Sequence, residues 1–294
     1  MGHEQVKHEI WMVEGTDMRK KRIKVSTVVI TIVTIILLLI SLFPYYYMVL
    51  QSVLPWDMVD KTMLPKALSL DSYRYLLGEK GAGSSDPLQW IRALANSFIV
   101  SVPTALVSVM TGLMTGYSMI HMKFKGKKMI NATLLFQMFF PVIILLVPRY
   151  MLIRPLANNY LGMILPLAIS IWGIFMYVNY FKTVPATVFE AAKIDGASDF
   201  KILMKIALPS TKSISIIVFL SVFMTRWNEL MWDMLVAPDL KKQTLNVMIS
   251  TQFNQNSTLP GPMYAASVIL TLPVIILFLC FSKYFKEGIN FMLK

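Results

Sequence analysis

The polar stretch Glu190-Ala191-Ala192-Lys193-Ile194-Asp195-Gly196, followed nine residues later by Ile206-Ala207-Leu208-Pro209, lies between two apolar segments long enough to be read only as membrane spans. Pro185 suits the first turn of a helix, where its missing N–H costs nothing, with Thr183 or Val184 before it as the cap. Gly196 supplies a left-handed stop, so the spacing predicts a short helix of roughly three turns. Ala191 and Ala192 keep its surface low enough for another protein's backbone to approach closely. Ser198 is placed to cap a second helix that runs to a break at Pro209. Two short helices held rigidly against a membrane can transmit force, so this stretch reads as a docking element.

The rest of the chain supplies the membrane. Its composition, 56% hydrophobic and 15% charged, is far from the roughly 25% charged of an average globular protein. Val25–Trp56, Ala93–Ile120, Met129–Pro148 and Leu156–Phe181 contain no Asp, Glu, Lys or Arg, and each reaches the roughly 20 residues that cross a bilayer as a helix. Two more apolar segments follow, Ser213–Val236 with charges in its outer half, and Met263–Ser282. The predicted fold is an all-α integral membrane protein with spans at about 25–50, 93–120, 129–150, 157–181, 213–236 and 263–282. A polar tail at 1–24, a loop at 183–210 between the fourth and fifth spans, and a C-terminal tail at 283–294 complete it. Five of the spans carry an internal proline, Pro44, Pro103, Pro141, Pro166 or Pro273, each expected to free a carbonyl and kink its helix.

Six spans place both termini on one side. That side, with the loop at Glu190, carries eighteen Lys and Arg; the opposite side carries nine, and Arg226 lies within a span. The positive-inside rule therefore predicts cytoplasmic termini and a cytoplasmic Glu190 loop. Topology and anionic headgroups also account for the net charge of +12 and the pI of 9.6. No segment interleaves basic and aromatic residues as a nucleic-acid surface would. The first span lacks a small-residue cleavage site, so tail and span read as a retained signal anchor. The lone Cys280, in the last span, reads as a packing residue. Asp57–Arg92, the longest extramembrane stretch, is too short for a core of its own. It is predicted to hold a small helix at Leu68–Leu77, and Pro238–Pro262 reads as a second, polar outer loop.

These residues resemble a family. Glu-Ala-Ala, three residues, Gly, nine residues, then Ile-x-Leu-Pro is the signature of the membrane subunits of binding-protein-dependent ABC importers. Ile194-Asp195-Gly196-Ala197-Ser198 is similar to the carbohydrate branch. Asn96-Ser97, Phe124-Lys125-Gly126-Lys127 and Trp227-Asn228-Glu229 sit where maltose-transporter-type subunits have comparable runs, so the resemblance spans about residues 25–290. It implies the type I ABC importer permease fold, with a coupling helix between spans four and five, in a bacterial inner membrane. The implied partners are a second permease subunit forming a heterodimer with this one, an ATPase dimer, an extracytoplasmic sugar-binding protein and membrane lipid. No Gly-x-x-x-x-Gly-Lys-Ser/Thr phosphate loop is present, so this chain is expected to be non-catalytic, with no cofactor of its own and with ATP and magnesium on the partner ATPase. Glu190, Ala191, Ala192, Asp195 and Gly196 would couple to that ATPase, with Leu208 and Pro209 fixing the return into the membrane.

The fifth span holds the sharpest polar cluster. Arg226, Glu229 and Asp233 fall at i, i+3 and i+7 on one predicted helical face, beside Trp227, Asn228 and Trp232. A charge at the bilayer centre costs at least about 2.5 kcal/mol, so the cluster should face protein or a water-filled path. Two readings stand: a structural Arg226–Glu229 bridge, or a substrate path in which Arg226 and Asn228 line the route and Trp227 or Trp232 offers a ring to a sugar. With Arg149 and Arg154, Arg226 is expected to favour an anionic oligosaccharide such as alginate. The alternatives are an ion-driven secondary transporter, for which Glu229 is the one plausible intramembrane carboxylate, or an importer subunit for a non-sugar solute. A membrane-embedded enzyme fits poorly, because His3, His8 and His121 all lie outside the predicted spans, and the spacing of His3, Glu4 and His8 is wrong for a zinc-protease motif. Asn131-Ala132-Thr133 and Asn256-Ser257-Thr258 match a glycosylation sequon only by chance.

Overall fold

Without water beside it, an apolar backbone must satisfy its own amides, and among the described residues of the computed structural model all regular structure is helical. The structure describes residues 25–78, 87–255 and 260–292. The tail at 1–24, with its signal-anchor reading and His3 and His8, and the Asn256 sequon lie outside them.

Helix α1 (Val25–Ser52) is exposed along residues 27–46, an apolar rod that continues through Pro44. The remainder, from Met48 onward, is built around α3 (Pro87–His121), whose 35 residues continue through Pro103. Against α3 pack α7 (Ile171–Thr183) and α11 (Lys212–Trp227). Val109, Leu113 and Tyr117 of α3 meet Tyr177 and Phe181 of α7 and Ile214 and Val218 of α11 in one buried core. Gly116 makes this close: a Cβ there would lie 2.5 Å from Tyr177 Cβ and 3.1 Å from its backbone carbonyl carbon.

Among the described residues, three helices are long and apolar enough to cross a membrane unbroken: Thr27–Ser52, Leu88–His121 and Pro260–Tyr284. The other predicted spans are bent. In the third, α4 (Lys127–Met138) meets a 3₁₀ turn and α5 (Leu146–Ile153) at 104°. Pro141 sits at that break with an extended backbone (φ −63°, ψ 122°), which a helix cannot continue through. In the fourth, α6 (Tyr160–Ile164) and a 3₁₀ turn containing Pro166 meet α7 at 42°. The Ser170 hydroxyl accepts from the Gly173 N–H at 3.1 Å and restarts the helix.

The predicted fifth span is not one helix. It stops at Trp227, passes through Asn228–Leu230 and resumes as α12 (Met231–Val236). Two loop expectations are also corrected. The small outer helix is α2 (Asp71–Leu76), shorter than Leu68–Leu77. Within Pro238–Pro262 lies α13 (Leu245–Gln255), whose Leu245, Met248 and Phe253 are buried against Trp90 and against Ala265 of α14 (Pro260–Met292). The last helix itself runs to Met292, so the predicted C-terminal tail begins as a continuation of helix, and Cys280 on it is exposed where a packing role was expected.

Candidate functional site: an anchored hairpin and a broken helix

The stretch at Glu190 folds as a helical hairpin. Helix α8 (Ala186–Ile194) begins one residue later than the sequence suggests, because Pro185 itself is extended (φ −57°, ψ 131°) and takes the cap position expected of Thr183 or Val184. Its end matches the expectation. Gly196 adopts φ +76°, its N–H donates to the Lys193 carbonyl at 3.0 Å, and the Ala197 N–H donates to the Ala192 carbonyl at 3.0 Å. These two bonds close the last turn in the pattern that a left-handed glycine permits. Ser198 then accepts from the Lys201 N–H at 3.3 Å and caps the second helix.

That second helix does not break at Pro209. It runs Asp199–Ser210 as α9 (Asp199–Ile202), a π turn (Leu203–Ala207) and α10 (Leu208–Ser210). The widened turn just before Pro209, closed by the Leu208 N–H on the Leu203 carbonyl, makes room for a ring that would otherwise meet the carbonyl four residues back. The break comes at Thr211, where the rod meets α11 at 82°. Hydroxyls hold this hinge: Tyr180 Oη donates to the Ser210 carbonyl at 2.5 Å, Tyr177 Oη to Ser215 Oγ at 2.8 Å, and Thr211 Oγ1 to the Ala207 carbonyl at 2.8 Å.

One face of α8 is fixed and the other is free. Phe189 is 2% exposed, its ring centroid 4.1 Å from His121, 5.7 Å from Tyr117 and 6.1 Å from Phe181. Ala192 packs beside it, one turn on. Glu190, Ala191 and Asp195 are exposed, as are Ile194 at 86% and Phe200 at 69%, so apolar side chains stand in the open beside Glu190. Leu208 is half-buried against the core and Pro209 exposed. Lys193 Nζ, 3.1 Å from Asp199 Oδ1, ties the two arms of the hairpin together.

The predicted path residues separate. Arg226 and Asp233 are 4% and 1% exposed and form a two-pronged ion pair, with Nη2 to Oδ1 at 2.5 Å and Nη1 to Oδ2 at 2.9 Å. The partner of Arg226 is therefore Asp233 and not Glu229. Because the helix breaks between them, the three charges do not share one helical face. Glu229 instead accepts from the Trp232 N–H at 3.0 Å, satisfying a donor in the first turn of α12. Trp227 and Trp232 are each 1% exposed, and Trp227 Nε1 donates to the Leu270 carbonyl at 3.0 Å. Neither ring is open to a sugar in this conformation, and Arg226 has its charge already matched. Of the five path residues, Asn228 is exposed and Glu229 partly so.

Residues 108–290 match the family described as "Binding-protein-dependent transport system inner membrane component". The chain belongs to this family. Its relatives include the trehalose/maltose transport system permease protein MalG of Thermococcus litoralis, 31% identical over 93% of this chain and 98% of the relative. The arabinooligosaccharides transport system permease protein AraQ of Bacillus subtilis is 27% identical over 90% and 95%. Among solved structures, a chain from a bacterial ABC transporter involved in import of the acidic polysaccharide alginate superposes with a TM-score of 0.77 at 22% identity, over 92% of this chain and 100% of that one. The fold of this inner membrane component is thus the type I ABC importer permease fold, and the family implies ATPase and binding-protein partners.

Asn96-Ser97 fits this family's pattern by sequence, and the structure adds what the pair does. Both are 1% exposed. Asn96 Nδ2 donates to the Lys241 and Gln243 carbonyls at 3.0 and 2.9 Å, its Oδ1 accepts from Tyr160 Oη at 2.7 Å, and Ser97 Oγ accepts from the Leu245 N–H at 2.9 Å. The polar pair within an apolar helix was the available signal; its partners, 64 to 148 residues away in sequence, were not.

Proposed function

We propose that this chain is the membrane-spanning, non-catalytic subunit of an ATP-driven oligosaccharide importer, coupled through α8 to a separate ATPase. The observation that carries this is the division of α8 into a face buried by Phe189 and a face presenting Glu190, Ala191 and Ile194. A helix gripped on one side and open on the other passes a push from a partner into α3 and α7. Glu190 anchors the ATPase, Ala191, Ala192, Asp195 and Gly196 shape the contact, and Leu208 and Pro209 return the chain to the hinge at Thr211. ATP and magnesium belong to the partner.

The Lys and Arg bias supports a bacterial inner-membrane orientation with both termini and the hairpin cytoplasmic. A second, different permease subunit, an extracytoplasmic sugar-binding protein and lipid complete the assembly; the exposed apolar length of α1 and of residues 139–152 supports such neighbours. Relatives named for trehalose/maltose and arabinooligosaccharides support a sugar cargo. Arg226 gives no reason for an anionic one, since Asp233 neutralises it; that preference would rest on Arg149 and Arg154 alone. Among the five path residues, Asn228 is the substrate contact that its exposure favours.

The test is uptake into proteoliposomes holding the assembled transporter and the binding protein, with labelled maltose, arabinooligosaccharides and alginate oligosaccharides as probes. Uptake of one probe that needs ATP on the hairpin side and ignores a protonophore is expected. Uptake that follows an ion gradient without ATP would overturn the proposal.

A further inference from the structure

The exposed turn Pro238–Lys241 leads directly into a buried polar hub. Lys241 is exposed, whereas Gln243 and Thr244 are 6% and 3% exposed. The hub is held from two sides. On one, Asn96 and Ser97 of α3 take the hydrogen bonds described above. On the other, Thr244 Oγ1 donates to Asp233 Oδ2 at 3.3 Å, and Asn246 Nδ2 donates to the Asn228 carbonyl at 2.9 Å. The Asn246 bond satisfies a carbonyl that the end of α11 leaves without a helical partner. Arg226, by gripping Asp233 and reaching the Met163 carbonyl at 3.3 Å, closes the network.

We infer that the Arg226–Asp233 pair is a positioning device that makes the turn at 238–246 and the helix break at 228–230 move as one body. Directional bonds in a low-dielectric interior leave little slack between them. Helix α11 joins this body to the other site: its 16 residues, about 24 Å at 1.5 Å per residue, run from the hinge at Thr211 to the break at Asn228. Displacement of the hairpin thus tilts a rod whose far end carries the turn, and contact at the turn tilts the same rod in return. This rests on the coupling role proposed for α8.

The test is hydrogen exchange of the assembled transporter, followed by mass spectrometry with and without Mg-ATP and vanadate. Peptides 183–210, 228–236 and 237–246 are compared in the wild type and in Asp233→Asn and Thr244→Val, each carried together with Asn246→Leu so that the second tie, to the Asn228 carbonyl, is cut as well. In the wild type, nucleotide should change exchange in 228–236 and 237–246 together, by at least about fivefold, the lower end of common coupling strengths. In either variant, 228–236 should still respond and 237–246 should not. If Asp233→Asn fails to assemble, Thr244→Val with Asn246→Leu, which cuts both ties from 237–246 and leaves the ion pair in place, decides alone. A concerted response that survives in the variants overturns the inference, as does a wild type in which 183–210 responds and the other two peptides do not move together. No response in 183–210 removes the coupling role itself, and with it this relay.

Discussion

Asp233 is the residue whose partner matters most. Removing the guanidinium from Arg226 leaves a carboxylate that is 1% exposed without its charge partner, and breaking such a pair costs about 3–5 kcal/mol. Arg226→Gln should therefore lower the thermal unfolding midpoint of the detergent-purified chain by many degrees. The apolar pair Arg226→Met with Asp233→Leu should restore most of that stability, because no charge is then left buried. A single variant as stable as the wild type would mean that the pair is not buried as described. The pairing was half legible in the sequence. Intramembrane charges at i and i+7 demanded partners, but choosing Asp233 over Glu229 required the break at Asn228–Leu230. Phe189 was less legible still, being one of several apolar residues in its loop, of which Ile194 and Phe200 stand exposed. Phe189→Ala removes a buried ring, a change worth about 3–5 kcal/mol of local packing. It should leave Glu190 in place on a loosened helix and reduce transport far more than assembly, as uptake and pull-down of the ATPase would show together.

At the scale of elements, the hairpin was read nearly whole because its signals are local. Gly196 adopts φ +76° with nothing within 4 Å of an added Cβ, so a substitution there meets only the backbone cost, about 1–2 kcal/mol for most side chains. Gly196→Val should accordingly raise hydrogen exchange in the last turn of α8, while Gly196→Asn, which tolerates that conformation, should raise it less. Equal exchange in both would place the control elsewhere than in the backbone. Gly116→Leu acts differently: it forces α3 and α7 apart against Tyr177, and misassembly of the whole transporter is the expected readout on size exclusion. Breaks in the spans were legible where proline marked them, at Pro141 and near Pro166. Pro44, Pro103 and Pro273 do not interrupt their helices, and the break at Asn228–Leu230 has neither proline nor glycine. Glu229 there accepts from the first turn of α12, and Asn246, from a segment eighteen residues on, donates to the Asn228 carbonyl at the end of α11, a partner that no local pattern announces. Helix α13 was hidden for a related reason, since its Asn, Gln and Ser content outweighs the apolar face made by Leu245, Met248 and Phe253.

For the whole molecule, five of the six apolar segments were legible from charge-free length and the fifth, Ser213–Val236, despite its charges; among the described residues they appear as three unbroken helices, two bent pairs and, for the fifth, α11 and α12 on either side of Asn228–Leu230. Two breaks flank α11. One hinge, at Thr211, adjoins the hairpin, and one break, at Asn228, adjoins the turn at Pro238–Lys241, with α11 between them. Cysteine labelling in intact cells should then reach a Lys241→Cys variant from outside and a Glu190→Cys variant only after permeabilisation; the reverse pattern would invert the orientation. The most direct test of the coupled-importer account is to purify the tagged chain from its native membrane in mild detergent and assay ATP hydrolysis by what accompanies it, with Glu190→Lys alongside. The account predicts an ATPase that co-purifies with the wild type and is lost or silenced with the variant. A chain that purifies alone, or an activity indifferent to Glu190, would contradict it.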